Sequence, residues 1–533
     1  MDFSNTDAAA RKPKVSQLEV IQQLEEATGQ DQKPIWKLLL DHRRIFIYAL
    51  FANSGALLFG YDILVQGAIT ALPAFSMSYG SYFGDALILP ALWQGLWQAM
   101  NSLGIMMGAS MNGVLQDRFG RKPMFFVGGA IAAVGGALEF ISPDLSGLET
   151  RRGVLLGGKI ILGVGMGILM SSCQTYVSEI SSPRLRTILL GLFPLLTSVG
   201  QIMSVSVVFS RIQDFSTMAV KIPFASQWAF SGLAMVSTFL IPESPSWLVS
   251  KGRIDAAEKS LKKLHGAKSE VTPLVQVIQS TLEQERIGSL TMGAVSYSDC
   301  FKGSDLRRTR IVILLNSLQQ FIGVSLLANA TYFFIMAGMS PTKSLTINQI
   351  AIGTSIFVTL LSWLILAKCG RRIVILCGFA AAGVMFLTMA VAGFFQHIPS
   401  ATNYIGVALM LVGLACGLSV STAYPIVAAE IPSVRLRAKT LGIGFFFNAL
   451  ISWIFNFCVP YMFNADQGNL GGKIGFVFCA TCMIGFALTW FEIPETKNLT
   501  NAQLNFLFQS GARTREFGKI NITEETDVAE GAM

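Results

Sequence analysis

Long apolar stretches alternate with short polar segments from about residue 44 to residue 491 of this 533-residue chain. Each stretch has close to or more than the ~20 residues with which an α-helix crosses a bilayer. Backbone polar groups in lipid must be paired within the protein, so we predict an all-α membrane protein with one transmembrane helix per stretch. The twelve predicted spans lie near 44–66, 91–115, 122–142, 153–175, 187–209, 225–243, 311–337, 347–367, 373–396, 403–426, 440–463 and 471–491.

Three charged motifs of the first half return in the second half at offsets of 250 to 252 residues. The pairs are Gly120-Arg121-Lys122 with Gly370-Arg371-Arg372, the segment from Glu179 to Arg186 with that from Glu430 to Arg437, and Pro242-Glu243-Ser244 with Pro494-Glu495-Thr496. Motifs repeated in register across apolar sequence indicate that one six-helix unit was duplicated. Parallel repeats of this kind build transporters whose cargo site lies between the halves near the bilayer midplane.

The repeat divides the chain into five parts. We expect an N-terminal tail at 1–43, a six-helix half at 44–243, a linker with short helices at 244–310, a second six-helix half at 311–491 and a C-terminal tail at 492–533. The first tail lacks the pattern of a cleaved signal peptide. Within the linker, residues 254–264 place apolar side chains on one face of an amphipathic helix. The segment after Leu499 is polar, and we expect it to be only partly ordered.

Charge distribution sets the expected orientation. Charged residues make up 14% of the chain, against roughly 25% in soluble domains. The connections assigned to the cytosol carry 22 Lys and Arg, whereas the opposite connections carry five. The positive-inside rule therefore predicts cytosolic termini on a multi-pass protein, which we assign to the plasma membrane. The net charge of +8 comes from these short segments, so nucleic-acid binding is not indicated.

Enzymatic chemistry has no support in the sequence. The chain has three histidines, no cluster with metal-ligand spacing, no phosphate-binding loop and no nucleophile motif. Its eight cysteines fall in apolar runs or in segments assigned to the cytosol, so we expect neither a disulfide framework nor a metal site. No cofactor is predicted.

A carboxylate interrupts the first apolar stretch. Asp62 lies within the predicted helix, and an ionisable residue at that depth is costly enough to indicate function. We favour a proton-coupling role, the alternative being a structural carboxylate with a permanent partner. Lys159, at the start of the fourth apolar run, either pairs with Asp62 or extends its ammonium group to the membrane interface.

Neutral polar side chains inside the spans are candidates for cargo binding. Amides and hydroxyls at this depth either bind a polyhydroxylated cargo or join helices by hydrogen bonds. We favour cargo contact for the polar side chains of the seventh stretch. Polar residues of other stretches are further candidates for the same role. The candidates are Gln319, Gln320 and Ser325, then Gln94, Gln98 and Asn101, then Gln201 and Asn448.

The repeated charges at the predicted cytosolic ends are candidates for a gate. Arginine–carboxylate pairs that form in one conformation and break in the other shift the balance between inward- and outward-facing states. Anchoring of topology is the alternative for the basic residues, but acidic residues contribute little to topology. The gating candidates are Arg121, Glu179, Arg186, Glu243, Arg371, Glu430, Arg437 and Glu495.

Five motifs in the expected order resemble the sugar porter family of the major facilitator superfamily from about residue 44 to residue 500. They are Gly60-Tyr61-Asp62, Asp117 to Lys122, Pro242 to Leu248, Gln319 to Gly323 and Pro494 to Leu499. Details such as Leu72 to Phe75 and Lys251 to Arg253 are most similar to fungal maltose and α-glucoside permeases. The resemblance implies a major facilitator fold of twelve helices in two halves.

The resemblance also implies roles for particular residues. The aspartate that matches Asp62 is the protonation site of proton-coupled members, and the glutamines that match Gln319 and Gln320 bind sugar. Ser325 stands where the family has an asparagine, and Lys159 stands where it usually has arginine. Departures at Pro194, Ala423, Asn329 and Ala330 indicate that the hexose pocket of the family is rebuilt in this chain.

We therefore predict a secondary active transporter that imports a sugar, an α-glucoside such as maltose, by proton symport and alternating access. Its partners are then the cargo, protons and the lipid bilayer. The alternative keeps the fold but exports a secondary metabolite or another non-sugar molecule. A nutrient receptor derived from a carrier is a third class, but it requires a long signalling tail that the residues after Phe491 do not resemble.

Overall fold

The computed structural model describes residues 37, 40–266, 271–291, 296–433, 436–497, 499 and 501–517. The first half comprises α1 (Arg43–Ala52), α2 (Ser54–Ile69), α3 (Pro73–Tyr79), β1 (Ser81–Phe83), β2 (Ala86–Ile88), α4 (Ala91–Phe119), α5 (Lys122–Ile141), α6 (Leu148–Ile180), α7 (Pro183–Phe209) and α8 (Met218–Leu240). The linker comprises α9 (Pro245–Ser250), α10 (Ile254–His265) and α11 (Thr272–Thr291). The second half comprises α12 (Gly303–Phe321), α13 (Val324–Ala328), α14 (Ala330–Met336), α15 (Pro341–Lys368), α16 (Arg371–Ala392), α17 (Pro399–Leu418), α18 (Val420–Glu430), α19 (Arg437–Phe463) and α20 (Ile474–Glu492), and α21 (Asn501–Gln509) follows it.

Each of the twelve apolar stretches is helical. Spans 1 to 6 are α1–α2, α4, α5, α6, α7 and α8, and spans 7 to 12 are α12–α14, α15, α16, α17–α18, α19 and α20. Within the described part of the chain, nine of these spans are long and apolar enough to cross a membrane by composition alone. Spans 2, 6 and 7 are the more polar ones, and spans 2 and 7 carry most of the predicted cargo residues.

Three spans are interrupted within their length. Span 1 breaks at Asn53, whose side-chain amide donates to the Ala49 carbonyl over 2.8 Å. Span 7 breaks at Gly323, which has a φ of 89° that favours glycine, and again at Asn329. Span 10 breaks at Ser419. Such breaks are tolerated inside a bundle because neighbouring groups pair the freed backbone atoms.

The two ends of the bundle differ in chemistry. We call the end that carries Arg121, Glu179, Arg371 and Glu430 the motif end, and the opposite end, which carries β1 and β2, the far end. At the far end, residues 67–90 form α3 and a hairpin in which Ser81 pairs with Ile88.

The described part of the C-terminal segment contains one helix that packs on the bundle. Leu504, Leu507 and Phe508 of α21 are buried against the second half. Arg308, at the start of span 7, donates to the Asn505 side chain over 2.7 Å. The polar composition of this segment concealed a short apolar face that packs beneath the bundle.

Spans 1 and 5 approach each other backbone to backbone. A Cβ atom added at Gly60 would lie 2.0 Å from the Thr197 carbonyl oxygen, and one added at Gly200 would lie 2.3 Å from the Leu57 carbonyl oxygen. Small residues at helix contacts are the usual means of close packing in membranes. This contact fixes span 1, and with it Asp62, two residues beyond Gly60.

Gly60→Ala should therefore separate spans 1 and 5 and destabilise the protein by about 1–3 kcal/mol, the usual cost of overpacking. Thermal unfolding of the purified protein in detergent measures the loss as a lower Tm. Gly232→Ala is the matched control, because a Cβ atom there meets nothing within 4 Å. Equal Tm values for the two variants would contradict this account of the contact.

Candidate functional site

A cavity lined by both polar and apolar side chains lies between the two halves near the middle of the bundle. Its volume is about 290 Å³. We call it the central cavity. Spans 1, 2 and 4 line it from the first half, and spans 7 and 11 line it from the second. Among the described residues that line it, none carries a charge; its polar lining consists of Gln66, Gln98, Asn101, Ser102, Gln319, Gln320, Ser325, Asn448, Ser452 and Asn456.

The glutamines of span 7 face this cavity. Gln320 donates to the Ser452 hydroxyl over 2.6 Å and accepts from the Ser325 hydroxyl over 2.7 Å. Gln319 is half-buried and lines the same space. Asn448 lines it from span 11 and donates to the Asn316 carbonyl over 2.8 Å. The structure therefore brings together the amides that the sequence predicted on two separate spans.

Other predicted cargo residues are distributed around the cavity. Gln98 borders it and forms a reciprocal amide pair with Asn329, in which the Asn329 amide donates over 2.8 Å. Gln201 instead lines a neighbouring apolar cavity. Gln94 lines neither cavity and donates to the Leu89 carbonyl over 2.8 Å at the far end.

A cluster of three ionisable side chains is buried beside the central cavity. The Lys159 ammonium lies 2.7 Å from Asp62 Oδ1 and 3.1 Å from Glu139 Oε1. All three side chains are 0% exposed. Lys159 therefore pairs with Asp62 and does not extend to the interface, and the two carboxylates leave one excess negative charge when all three groups are ionised. We call Asp62, Glu139 and Lys159 the charge cluster.

Neutral side chains donate further hydrogen bonds to the charge cluster. The Asn101 amide donates to Asp62 Oδ2 over 2.8 Å, and the Gln227 amide donates to Glu139 Oε2 over 3.0 Å. The Phe224 ring lies 5.6 Å from the lysine nitrogen. Because Asn101 also lines the central cavity, it joins the cluster to the space where cargo would bind.

Glu139 was missed by the sequence analysis. It stands three residues before the end of the predicted third span, where an acidic residue is typical of a membrane interface. Only the packing of spans 3, 4 and 6 shows that it points inward to Lys159 and Gln227. Its position as the single acidic residue of that apolar stretch was the available signal.

Hydrogen bonds between the two halves gather at the far end and around the central cavity. In the described part of the chain, the inter-half bonds that involve side chains join Leu89 to Tyr332, Ala91 to Asp466, Gln98 to Asn329, Ser102 to Asn456, Ser206 to Gln349 and Leu89 to Asn464. The halves are therefore held together on the side opposite the charged motifs.

The charged motifs form separate networks within each half. Arg121 donates to Glu179, with an ion-pair distance of 2.9 Å, and Glu179 also accepts a hydrogen bond from Ser244. The corresponding pair of the second half, Arg371 and Glu430, is longer, at 3.5 Å.

The other two arginines of these motifs lie at the starts of spans 5 and 11. Arg186 is exposed and pairs with no carboxylate among the described residues, and Arg437 is half-buried. The repeat in the sequence is therefore matched in the structure by the equivalent ion pairs of Arg121 and Arg371.

Glu243 and Glu495 anchor the starts of spans 3 and 9. Glu243 accepts from the backbone N–H groups of Arg121, Lys122 and Ser244 at 2.9–3.2 Å. Glu495 accepts from the equivalent N–H groups of Arg371 and Arg372 at 2.9 and 3.2 Å. A carboxylate at a helix N-terminus pairs the free N–H groups and complements the helix dipole.

The glycine of the first motif makes this capping possible. Gly120 has a φ of 101°, and a Cβ atom there would lie 2.5 Å from the Glu243 carboxylate. Burial raises the pKa of Glu243 above its usual value, although the backbone donors favour its ionised form. In each half, the motif glycine therefore leaves room for the motif glutamate to cap the helix that follows the glycine.

The sequence matches the family described as "Sugar (and other) transporter" over residues 48–508. The chain is 30% identical to "MFS transporter fmqE" of Aspergillus fumigatus over 499 residues, covering 92% of each protein. It is also 30% identical to "Maltose permease MAL31" of Saccharomyces cerevisiae over 513 residues, covering 94% of this chain and 81% of the permease.

Solved transporters share the fold. The partially occluded inward-open form of the xylose transporter XylE from E. coli superposes with a TM-score of 0.71 at 20% identity, covering 86% of this chain and all of the transporter. A crystal structure of the peptide transporter POT superposes with a TM-score of 0.54 at 14% identity, covering 83% and 94% of the two chains. The expected major facilitator fold is therefore confirmed.

Glu243→Gln should destabilise the first half, because one acceptor oxygen becomes an amide donor that faces backbone N–H groups. An unpaired buried polar group costs about 1–3 kcal/mol, so the Tm should fall by several degrees. Asp117→Asn is the control: this carboxylate pairs with Arg121 over 3.5 Å but is 79% exposed, and its loss should change the Tm little. Equal Tm shifts in the two variants would show that Glu243 is not a structural cap.

Proposed function

The chain belongs to the sugar transporter family, and we propose that it imports an α-glucoside such as maltose by proton symport and alternating access. The observation that carries the proposal is the position of Asn101. One side chain both lines the central cavity and donates to Asp62. A cargo that rearranges Asn101 therefore changes the environment of a buried carboxylate.

The cargo class follows from the lining of the central cavity. Amides and hydroxyls without charged groups match a neutral molecule with many hydroxyls, and they offer no counter-ion to an ionic cargo. Phe59 and Ile63 supply an apolar wall for the C–H face of a sugar ring. Gln319, Gln320 and Asn448 are the proposed sugar contacts, together with Gln98 where the amide pair with Asn329 opens.

The charge cluster supplies the proton site. A buried group of two carboxylates and one ammonium carries excess negative charge, which is costly in a low dielectric. Binding one proton neutralises the cluster, and releasing it restores the charge. We assign the transported proton to Asp62 and Glu139 acting together across Lys159. A neutral cluster permits the conformational change, whereas a charged cluster resists it, so proton and cargo move in the same step.

Alternating access follows from the distribution of contacts between the halves. The bonds around Leu89, Gln98 and Asp466 form the far-end closure. We assign the motif end and both termini to the cytosol of a plasma-membrane protein, in line with the excess of basic residues. The pairs Arg121–Glu179 and Arg371–Glu430 each join spans of one half, and as the proposed cytosolic gate they rearrange when that side opens and closes.

Transport of a non-sugar molecule, including export, is the second candidate. It is favoured by the 30% identity to a relative, MFS transporter fmqE, whose name specifies no sugar. Uptake of labelled glucose, maltose, sucrose, trehalose and a polyol into a transport-null host, with and without a protonophore, separates the two. Absence of uptake for the whole panel at normal surface expression would favour the second candidate.

Gln320→Ala should weaken sugar binding, because it removes an amide that the cavity presents and leaves Ser325 without its acceptor. We expect the half-saturating concentration for the transported sugar to rise about tenfold. Gln116→Ala is the control, since Gln116 is buried outside both cavities and donates to Ser172. Unchanged sugar affinity combined with loss of a non-sugar cargo would overturn the sugar assignment.

Asp62→Asn and Glu139→Gln should each abolish accumulation against a gradient while preserving exchange of cargo across the membrane. Removing either carboxylate leaves a neutral pair with Lys159, which has no need of a proton to change conformation. Proteoliposomes measure both activities, as concentrative uptake driven by a pH gradient and as counterflow of labelled cargo.

Asp144→Asn is the control for this pair, because Asp144 binds Lys221 away from the charge cluster. Accumulation by the Asp62→Asn variant at the wild-type level, with normal sensitivity to a protonophore, would contradict the coupling role. If only the Asp62→Asn variant loses accumulation, Asp62 by itself carries the transported proton.

A further inference from the structure

A second cavity adjoins the central cavity without being part of its polar lining. Its volume is about 270 Å³, and the two cavities share Ile63, Val324 and Ala328. It lies between spans 1 and 5 of the first half and spans 7, 8 and 10 of the second. Both cavities therefore meet at the interrupted part of span 7, within reach of one bound molecule.

The walls of this second cavity are mainly apolar. Its apolar lining includes Leu64, Leu327, Phe334, Ile347 and Leu409, and none of its described lining residues is charged. Its polar lining residues are Gln201, Asn348, Ser355 and Ser421. Asn348 already donates to the Thr331 hydroxyl over 2.8 Å, and Ser355 donates to the Ile352 carbonyl over 2.7 Å. Water requires several polar partners to occupy a buried site, so this space favours an apolar group over solvent.

Small residues line the second cavity on spans 8 and 10. A Cβ atom added at Gly413 would lie 3.4 Å from Leu327, and one added at Gly417 would lie 3.2 Å from Val358. Ala351 lines the cavity from span 8. An engineered cavity of about 150 Å³ in another protein holds benzene, so the space here is large enough for a ring or a short branched chain.

We propose that this second cavity, the apolar compartment, binds the apolar aglycone of a glycoside whose sugar occupies the central cavity. The substrate class is then amphipathic: a glucosyl unit joined to an aromatic or branched aliphatic group. The inference rests on the proposed function, because it takes the central cavity as the sugar site. A molecule with both parts occupies both cavities at once, whereas the sugar unit by itself occupies only the central cavity.

Binding of methyl α-glucoside and phenyl α-glucoside to the full-length protein in lipid nanodiscs tests the inference. The two ligands share the sugar and differ only in the aglycone. Transfer of a phenyl group from water to an apolar site should make the phenyl glucoside bind about tenfold more tightly. Ala351→Phe should fill the apolar compartment and reduce this preference to less than about twofold, with methyl glucoside affinity unchanged.

Ile350→Phe is the matched control, because the neighbouring Ile350 side chain is 53% exposed on the outside of the same span. It should keep the tenfold preference. Retained binding of methyl glucoside shows that the Ala351→Phe variant is folded. If that variant does not fold, Ala351→Leu is the milder substitution to use. Equal affinities of the wild-type protein for the two ligands would overturn the inference, as would an equal loss of both in the Ala351 variants. Binding of neither ligand to the wild-type protein would instead overturn the proposed sugar site itself.

Discussion

The ammonium group of Lys159, held between two carboxylates inside an apolar bundle, is the constraint on which the rest of the first half depends. Ionised groups at this depth persist only when they are paired and hydrogen-bonded. Asp62, Glu139, Asn101 and Gln227 supply that environment from spans 1, 2, 3 and 6. The close contact of spans 1 and 5 at Gly60 places Asp62 within this group. A site of this kind is stable only while its charge is balanced, which makes its protonation state a determinant of conformation.

The two halves repeat the scaffold but not the chemistry. Glu243 and Glu495 cap equivalent helices, and Arg121 and Arg371 pair with equivalent carboxylates. At the same offset of 251 residues, however, Glu139 and Lys159 correspond to Ala390 and Met410. The second half instead supplies four of the seven amides that line the central cavity, and most of the apolar compartment. Duplication thus gave two similar frames, of which the first carries the ionisable groups and the second carries most of the proposed cargo contacts.

The sequence predicted the twelve spans because each depends on local apolar length, and it identified Asp62 because a carboxylate within such a stretch is rare. It did not find Glu139, because a residue near the end of a stretch faces either lipid headgroups or the bundle according to packing that no local pattern reveals. For the same reason the sequence could not distinguish the roles of the three polar candidates on span 2. Its residues in fact separate: Gln94 binds backbone at the far end, Gln98 pairs with Asn329, and only Asn101 reaches the charge cluster. Hydrogen-bond partners from other spans decide these differences.

The central claim is that a proton enters with the cargo, and direct detection of that proton tests it. Purified protein in proteoliposomes, with a pH indicator in a weakly buffered external medium and no initial pH gradient, should respond to addition of a transported sugar outside. We expect the medium to become more alkaline as the sugar enters, in proportion to the sugar taken up, and a protonophore to abolish the signal. Entry of the same sugar at the same rate without any change in external pH would contradict the account.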